Sequence, residues 1–229
     1  MNDAALSLIL FDCDGTLVDS QHSIAAAMAT AFDAHGLPVP GLADVRQVVG
    51  LSLAESIRRL AGEHDPGESE VAAVVAGYRQ AFAALYGADP ARDPLFPLTR
   101  EMLDSLDGQG RLLGVATGKS RGGVETILRG HGLLERFLTV QTPDTNPGKP
   151  HPGMVDSAMA ALGVEPHRTV LVGDSVYDME MAVNAGIAGV GVSWGYHEPE
   201  ALAGAGAVAV LDSFADLPEL VDGLLAEAG

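Results

Sequence analysis

The chain has 229 residues, 47% hydrophobic and 19% charged, a balance that lets one large domain or two small ones bury a core and argues against disorder over most of the length. Its 13 basic side chains against 31 acidic ones give a formal net charge of -18, which repels nucleic acid and anionic membrane surfaces, so neither is expected as a partner. No apolar run reaches the roughly 20 residues of a membrane helix, the lone Cys13 allows no internal disulfide, and no basic leader precedes an apolar segment, so a cytoplasmic protein is expected.

The first predicted element is a strand from about Leu6 to Phe11, a continuous apolar run that suits a strand covered on both faces in a parallel sheet. It runs straight into "DCDGTLVDS", where Asp12, Asp14 and Asp19 crowd negative charge at the strand's end. From Ser20 to Tyr86 nearly everything reads as helix. Ile24, Met28 and Phe32 recur every four residues before the stop at Gly36 and Pro38, and Val45, Val48 and Val49 belong to a second segment ending at Gly50. Ser52 and Glu55 predict a capping box opening a short helix whose inner stripe is Leu53, Ile57 and Leu60. The longest helix carries Val71, Val74, Val75, Tyr78, Phe82 and Leu85 on one face. The proline-rich "ADPARDPLFP" reads as a return linker.

Beyond the linker, strands near Leu112 to Ala116, Phe137 to Gln141, Thr169 to Val172, Gly189 to Val192 and Ala207 to Leu211 alternate with helices near Thr99 to Leu106, Val124 to His131, Pro152 to Leu162 and Asp178 to Ala185. That alternation predicts an α/β fold, a doubly wound, Rossmann-like parallel sheet. Residues 1–19 and 91–229 are expected to form this core, interrupted after its first strand by a helical cap at 20–90. An insertion there sits over the strand ends, where such folds bind ligands.

Polar features follow the predicted strand ends: Asp12 and Asp14, then Thr117, then Lys149 in "PGKPHP", then Asp174 and Asp178 in "LVGDSVYD". Four carboxylates with one lysine leave an excess of negative charge that burial would make costly, and a hard divalent cation relieves it. Oxygen ligands without a Cys and His cluster favour Mg²⁺ over Zn²⁺. Magnesium completes its shell with substrate phosphate, so the hydroxyl and ammonium suit phosphate oxygens, and a neighbouring carboxylate can attack phosphorus to give an aspartyl phosphate. Asp12 and Asp14, two residues apart, point to the same side of the chain and Cys13 to the other; Gly15 allows a sharp turn.

The segments "FDCDGTLVDS", "VATGKS", "GKPHPG" and "VGDSVYDMEMAVNAG" resemble, in order, the four motifs of the haloacid dehalogenase superfamily, and the chain looks like a phosphoglycolate phosphatase-like hydrolase with a type 1 helical cap. The resemblance spans essentially the whole chain. It implies a Mg²⁺-dependent phosphatase acting on a small phosphorylated metabolite, with phosphoglycolate the first candidate. It implies Asp12 as nucleophile, Asp14 as acid and then base, and Thr117 and Lys149 as phosphate binders, with Gly118 beside Thr117. Mg²⁺ would rest on the Asp12 carboxylate, the Asp14 backbone carbonyl and Asp174, with Asp178 in support.

Competing readings leave traces that can be checked. A P-loop at "ATGKS" needs glycine at position 113, where Leu113 stands. A β-phosphoglucomutase-like enzyme usually has a different residue at Thr16 and a cap histidine near Ile24, while a dehalogenase lacks the second aspartate, here Asp14. A non-catalytic phosphate-binding or regulatory protein of the same fold need not keep Asp12, Asp14, Thr117, Lys149 and Asp174 together. Lys119, beside a helix start, is expected to be solvated; His22, His151 and His197 are expected in turns or on the surface; Cys13 is expected to be packed and inert, and Trp194 to be an anchor. In the cap, the turn from Gly50 to Ser52 is expected to offer backbone amides to an anionic leaving group, with Arg58 or Arg59 assisting. Oligomeric state leaves no trace in the sequence.

Overall fold

A computed structural model describes residues 6–227; residues 1–5 and 228–229, the two ends of the expected core, lie outside the described residues. Strand β1 (Leu8–Phe11) is buried along its whole length, with Ile9 and Phe11 packed on one side and Leu8 and Leu10 on the other. It lies between β2 (Leu112–Ala116) and β4 (Thr169–Gly173), and β3 (Thr139–Gln141), β5 (Ala188–Val192) and β6 (Ala209–Leu211) complete a parallel sheet of order β3-β2-β1-β4-β5-β6. The winding reverses between β1 and β4, and ligands bind at such a reversal in open α/β sheets. Register fixes what meets there. Phe11 pairs with both Val115 and Val172, so Asp12 leaves β1 level with the ends of its two neighbours, just below Thr117 and Asp174.

Between β1 and β2 stand α1 (Gln21–Ala34), α2 (Leu42–Val48), α3 (Leu53–Ala61), α4 (Glu68–Ala88) and α5 (Thr99–Gly108). Helix α1 packs on α4 and α2, and α3 on α4 and α2, which makes a helical layer over the strand ends. Its apolar interior, including Met28, Phe32 and Val74, is continuous with the sheet face of Ile9 and Phe11. The strands in and out of the layer run side by side: the Asp19 N–H donates to the Pro94 carbonyl at 2.9 Å and the Phe96 N–H to the Leu17 carbonyl at 3.0 Å. Buried Asp93 fixes this crossing by accepting from Ser23 on α1 at 2.6 Å and from the Tyr86 hydroxyl on α4.

Helix α4 carries the expected stripe and extends it: Val71, Val74, Tyr78 and Phe82 are buried, Val75 and Leu85 are partly buried against the same core, and Tyr86 joins them. The cap of α3 is half formed: Ser52 Oγ accepts the Glu55 N–H at 3.4 Å, but the Glu55 carboxylate pairs with Arg59, one turn on, at 3.0 Å instead of reaching back. The remaining helices are α6 (Arg121–Gly130), α7 (Gly153–Leu162), α8 (Val176–Ala185), α9 (Pro199–Gly204) and α10 (Leu217–Glu227). The expected helix at 178–185 begins earlier, because Ser175 is its cap and Asp178 its third residue. No helix among the described residues is long and apolar enough to cross a membrane.

Candidate active site

Asp12 is 1% exposed and held at both oxygens, Oδ1 accepting the Cys13 N–H at 2.7 Å and Oδ2 lying 2.9 Å from Lys149 Nζ. Lys149 enters from the loop between β3 and α7, on a cis peptide to Pro150, and also donates to Asp178 Oδ1 at 2.6 Å. The other Asp178 oxygen accepts from both the hydroxyl (2.6 Å) and the N–H (3.1 Å) of Ser175, which closes a full capping box on α8. Asp174 accepts from the Thr16 hydroxyl at 2.8 Å and the Tyr196 N–H at 3.0 Å, both neutral donors.

Asp12, Asp174 and Asp178 place carboxylate oxygens within 4.8 Å of one another, all fully buried. Burial raises the Asp12 pKa to about 6, with Lys149 opposing and Asp178 and Asp14 adding to the rise. Asp174 is pushed well above the carboxylate range by burial and then by Asp12 and Asp178. Lys149 stays charged because Asp12 and Asp178 outweigh its own desolvation. Once ionised, three carboxylates against one ammonium would carry two net negative charges, the complement of a divalent cation, and an all-oxygen donor set suits a hard one. Two glycines make room. A Cβ on Gly15, at φ +86°, would fall 2.1 Å from Asp174 Oδ2, and one on Gly195 would fall 2.1 Å from Asp174 Cβ.

The Asp14 side chain turns away from this triad. Its Oδ1 accepts from the Ser20 hydroxyl and its Oδ2 lies 3.0 Å from Lys119 Nζ. Lys119 is therefore not solvated, as its place beside a helix start suggested: its side chain is 7% exposed and its Nζ sits 4.3 Å from the centre of the Phe82 ring. Desolvation works against its charge, but Asp14 more than compensates and its pKa is raised. No local sequence signal marks this burial, because the enclosing surface comes from α4, over thirty residues upstream.

Thr117 follows β2, anchored by its N–H to the Gln141 carbonyl at 3.1 Å; its Oγ accepts from the Lys119 N–H at 3.3 Å, which leaves its own proton to donate. Asp12, Asp14, Thr117, Gly118 and Lys119 line one end of a cavity of about 760 Å³ whose opposite walls come from α1, α2, α3 and α4. The helical layer rests on the core at Gly118, where a Cβ would lie 2.4 Å from the carbonyl oxygens of Gly50 and Leu51. Gly50, at φ +102°, lines the cavity, yet a Cβ there would press on Ser175 Oγ at 2.8 Å and Tyr177 at 3.3 Å. A larger residue at 50 thus strains the seam between layer and core as well as the pocket. Gly50→Val is expected to lower kcat/KM for small and large phosphate esters alike by about tenfold or more; steady-state kinetics on both sizes decides.

Arg58 pairs with Glu68 at 2.7 Å and Arg59 with Glu55 and the Tyr177 hydroxyl, both at 3.0 Å; neither lines the cavity, so neither assists an anion there. Trp194 is an anchor, its Nε1–H donating to the Thr16 carbonyl at 3.2 Å and its ring packed on Phe214. Cys13 is buried and its thiol pKa is raised by desolvation. His22 and His151 are exposed. His197 sits in the bend after β5, as a turn histidine, but is 7% exposed and accepts the Val176 N–H at Nδ1, because that loop folds under α2.

Residues 9–192 match the model of the haloacid dehalogenase-like hydrolases, and the chain belongs to that family. It is 35% identical to "Probable phosphatase IndB" of Dickeya dadantii, over 95% of this chain and 94% of that one, and 32% identical to the phosphoglycolate phosphatase of Nitrosococcus oceani, over 93% and 96%. A solved hydrolase of Pseudomonas syringae superposes with a TM-score of 0.83 at 26% identity, covering 96% of this chain and 99% of that one. The four segments picked out in the sequence and the sheet order agree with this membership.

Proposed function

We propose that the chain is a Mg²⁺-dependent phosphomonoester hydrolase that works through an aspartyl phosphate on Asp12. The observation that carries this reading is the juxtaposition, at one end of one cavity, of Asp12 and Asp14, the first belonging to a buried acidic triad in which Lys149 bridges Asp12 and Asp178, the second held on separate partners. Residues 20–90 would act as the cap over this site, and the single buried thiol suits a reducing, cytoplasmic setting. Small phosphorylated metabolites are the substrate class, and phosphoglycolate is the reference compound because relatives carry that name.

Asp12, Asp174 and the Asp14 backbone carbonyl would hold the ion, with Asp178 kept in place by Lys149 and Ser175. When bound, the cation would neutralise the triad and the substrate dianion and polarise the phosphoryl oxygens. Asp12 would then attack phosphorus while the ester P–O bond breaks, and Asp14 would relay a proton to the departing alkoxide. Asp14, now a carboxylate, takes a proton from water as that water attacks phosphorus, which releases inorganic phosphate and restores Asp12. Thr117 and Lys149 would donate to the phosphoryl oxygens, Lys149 leaving its contact to Asp178 or sharing it.

Asp14→Asn is expected to separate the two steps. An activated aryl phosphate should still phosphorylate Asp12 while an alkyl ester, which needs a proton, should not. Equal losses for both esters, with no trapped phosphoenzyme, would count against the assignment. Chelation is expected to abolish turnover and Mg²⁺ to restore it. Added Mg²⁺ should also raise the thermal midpoint, since the ion binds a charge cluster that exists only when folded. Full turnover in a metal-free preparation would overturn the proposal.

A further inference from the structure

The cavity beside Asp12 is larger than a two-carbon leaving group requires. Its walls are Ile24, Met28, Val45, Val75, Tyr78 and Phe82, and its volume of about 760 Å³ is of the size that accepts a ring-bearing ligand rather than a two-carbon acid. Tyr78, Phe82 and Tyr86 stand one turn apart on α4 and stack in a row, with ring centres 5.9 and 4.2 Å apart and planes 22° from parallel. Among the described residues the cations that line the cavity are Lys119 and Arg79. Lys119 is engaged by Asp14 and by the Phe82 ring, while Arg79, largely exposed, lies 3.7 Å from Asp144. The carboxylate of a small acid would meet mainly aliphatic and aromatic walls, with Lys119 already held by Asp14 and Arg79 shared with Asp144.

Resting on the phosphomonoesterase reading above, we infer that the leaving alcohol carries a flat, unsaturated ring. That ring packs against the Tyr78 and Phe82 side of α4 while the phosphate sits on Asp12. Aromatic walls favour such a ring by area and by offset or edge contact. Two sources share this chemistry, an arylalkyl alcohol and a nucleoside.

The test compares kcat/KM, with Mg²⁺, for 2-phenylethyl phosphate, uridine 5′-monophosphate, phosphoglycolate and acetyl phosphate. The alkyl esters have leaving alcohols of similar acidity, so the ranking reports the pocket rather than intrinsic reactivity. At least one ring ester is expected to exceed phosphoglycolate by about tenfold or more. Which one ranks higher assigns the ring as hydrocarbon or heterocycle. Phosphoglycolate equal to or better than both overturns the inference while leaving the phosphatase reading intact, and no hydrolysis of any compound, acetyl phosphate included, overturns that reading itself. Phe82→Leu is expected to lower kcat/KM for the better ring ester about tenfold more than for acetyl phosphate. Equal losses for the two would show that the ring does not lie on α4.

Discussion

Asp12→Asn is expected to lower kcat by a factor on the order of 10³ or more, with the fold intact. An amide oxygen cannot form the acyl phosphate, and the change also removes one of the negative charges that set up the cation site. The fold should survive because the asparagine keeps an acceptor for the Cys13 N–H, which Asp12 Oδ1 accepts at 2.7 Å, and because the neighbouring β1 side chains are apolar and fully buried. Stability need not fall: burial holds the Asp12 pKa up at about 6, so its charge is itself a strained element of the cluster. Kinetics on a simple alkyl phosphate, with circular dichroism as the folding control, checks this. A folded Asn variant with near-normal kcat would place the attacking group elsewhere.

Lys149→Met is expected to cost both activity and stability. The ammonium is fully buried, 2.9 Å from Asp12 and 2.6 Å from Asp178, and its removal leaves two buried carboxylates facing Asp174 without a counter-charge. Breaking a buried ion pair from one side typically costs about 3–5 kcal/mol. Loss of the phosphate donor should reduce kcat by about 10²- to 10³-fold. Urea unfolding in the absence of metal reads the first effect and single-turnover kinetics the second. A variant as stable as the parent would mean that the triad is protonated, not paired, in the folded protein.

Much of this site is visible in sequence because its backbone placement is local. An apolar run ending at Phe11 announces a parallel strand, and whatever follows such a strand, here Asp12 and Asp14, emerges at the crevice. The same logic locates Thr117 and Asp174, and glycine at 15 is a conformational signal of short range. What escapes is set by contacts distant in the chain. Lys119 looks like a surface lysine until α4 closes over it, and the α4 stripe takes in Tyr86 because that hydroxyl meets Asp93 of the linker. Gly118 gives no hint that it is the place where Gly50 and Leu51 come down on the core. The Ala- and Gly-rich α9, only six residues long, has too weak an apolar period to stand out from the loops around it.

The central claim is that the phosphoryl group passes through Asp12, and trapping tests it most directly. The enzyme is mixed with an excess of substrate and Mg²⁺, quenched in acid within the first turnovers, treated with borohydride to reduce any acyl phosphate to the alcohol, and digested for mass spectrometry. The account predicts homoserine at position 12 and unchanged aspartate at position 14. Homoserine at another position, or none while turnover proceeds and the quench is faster than hydrolysis, would contradict it.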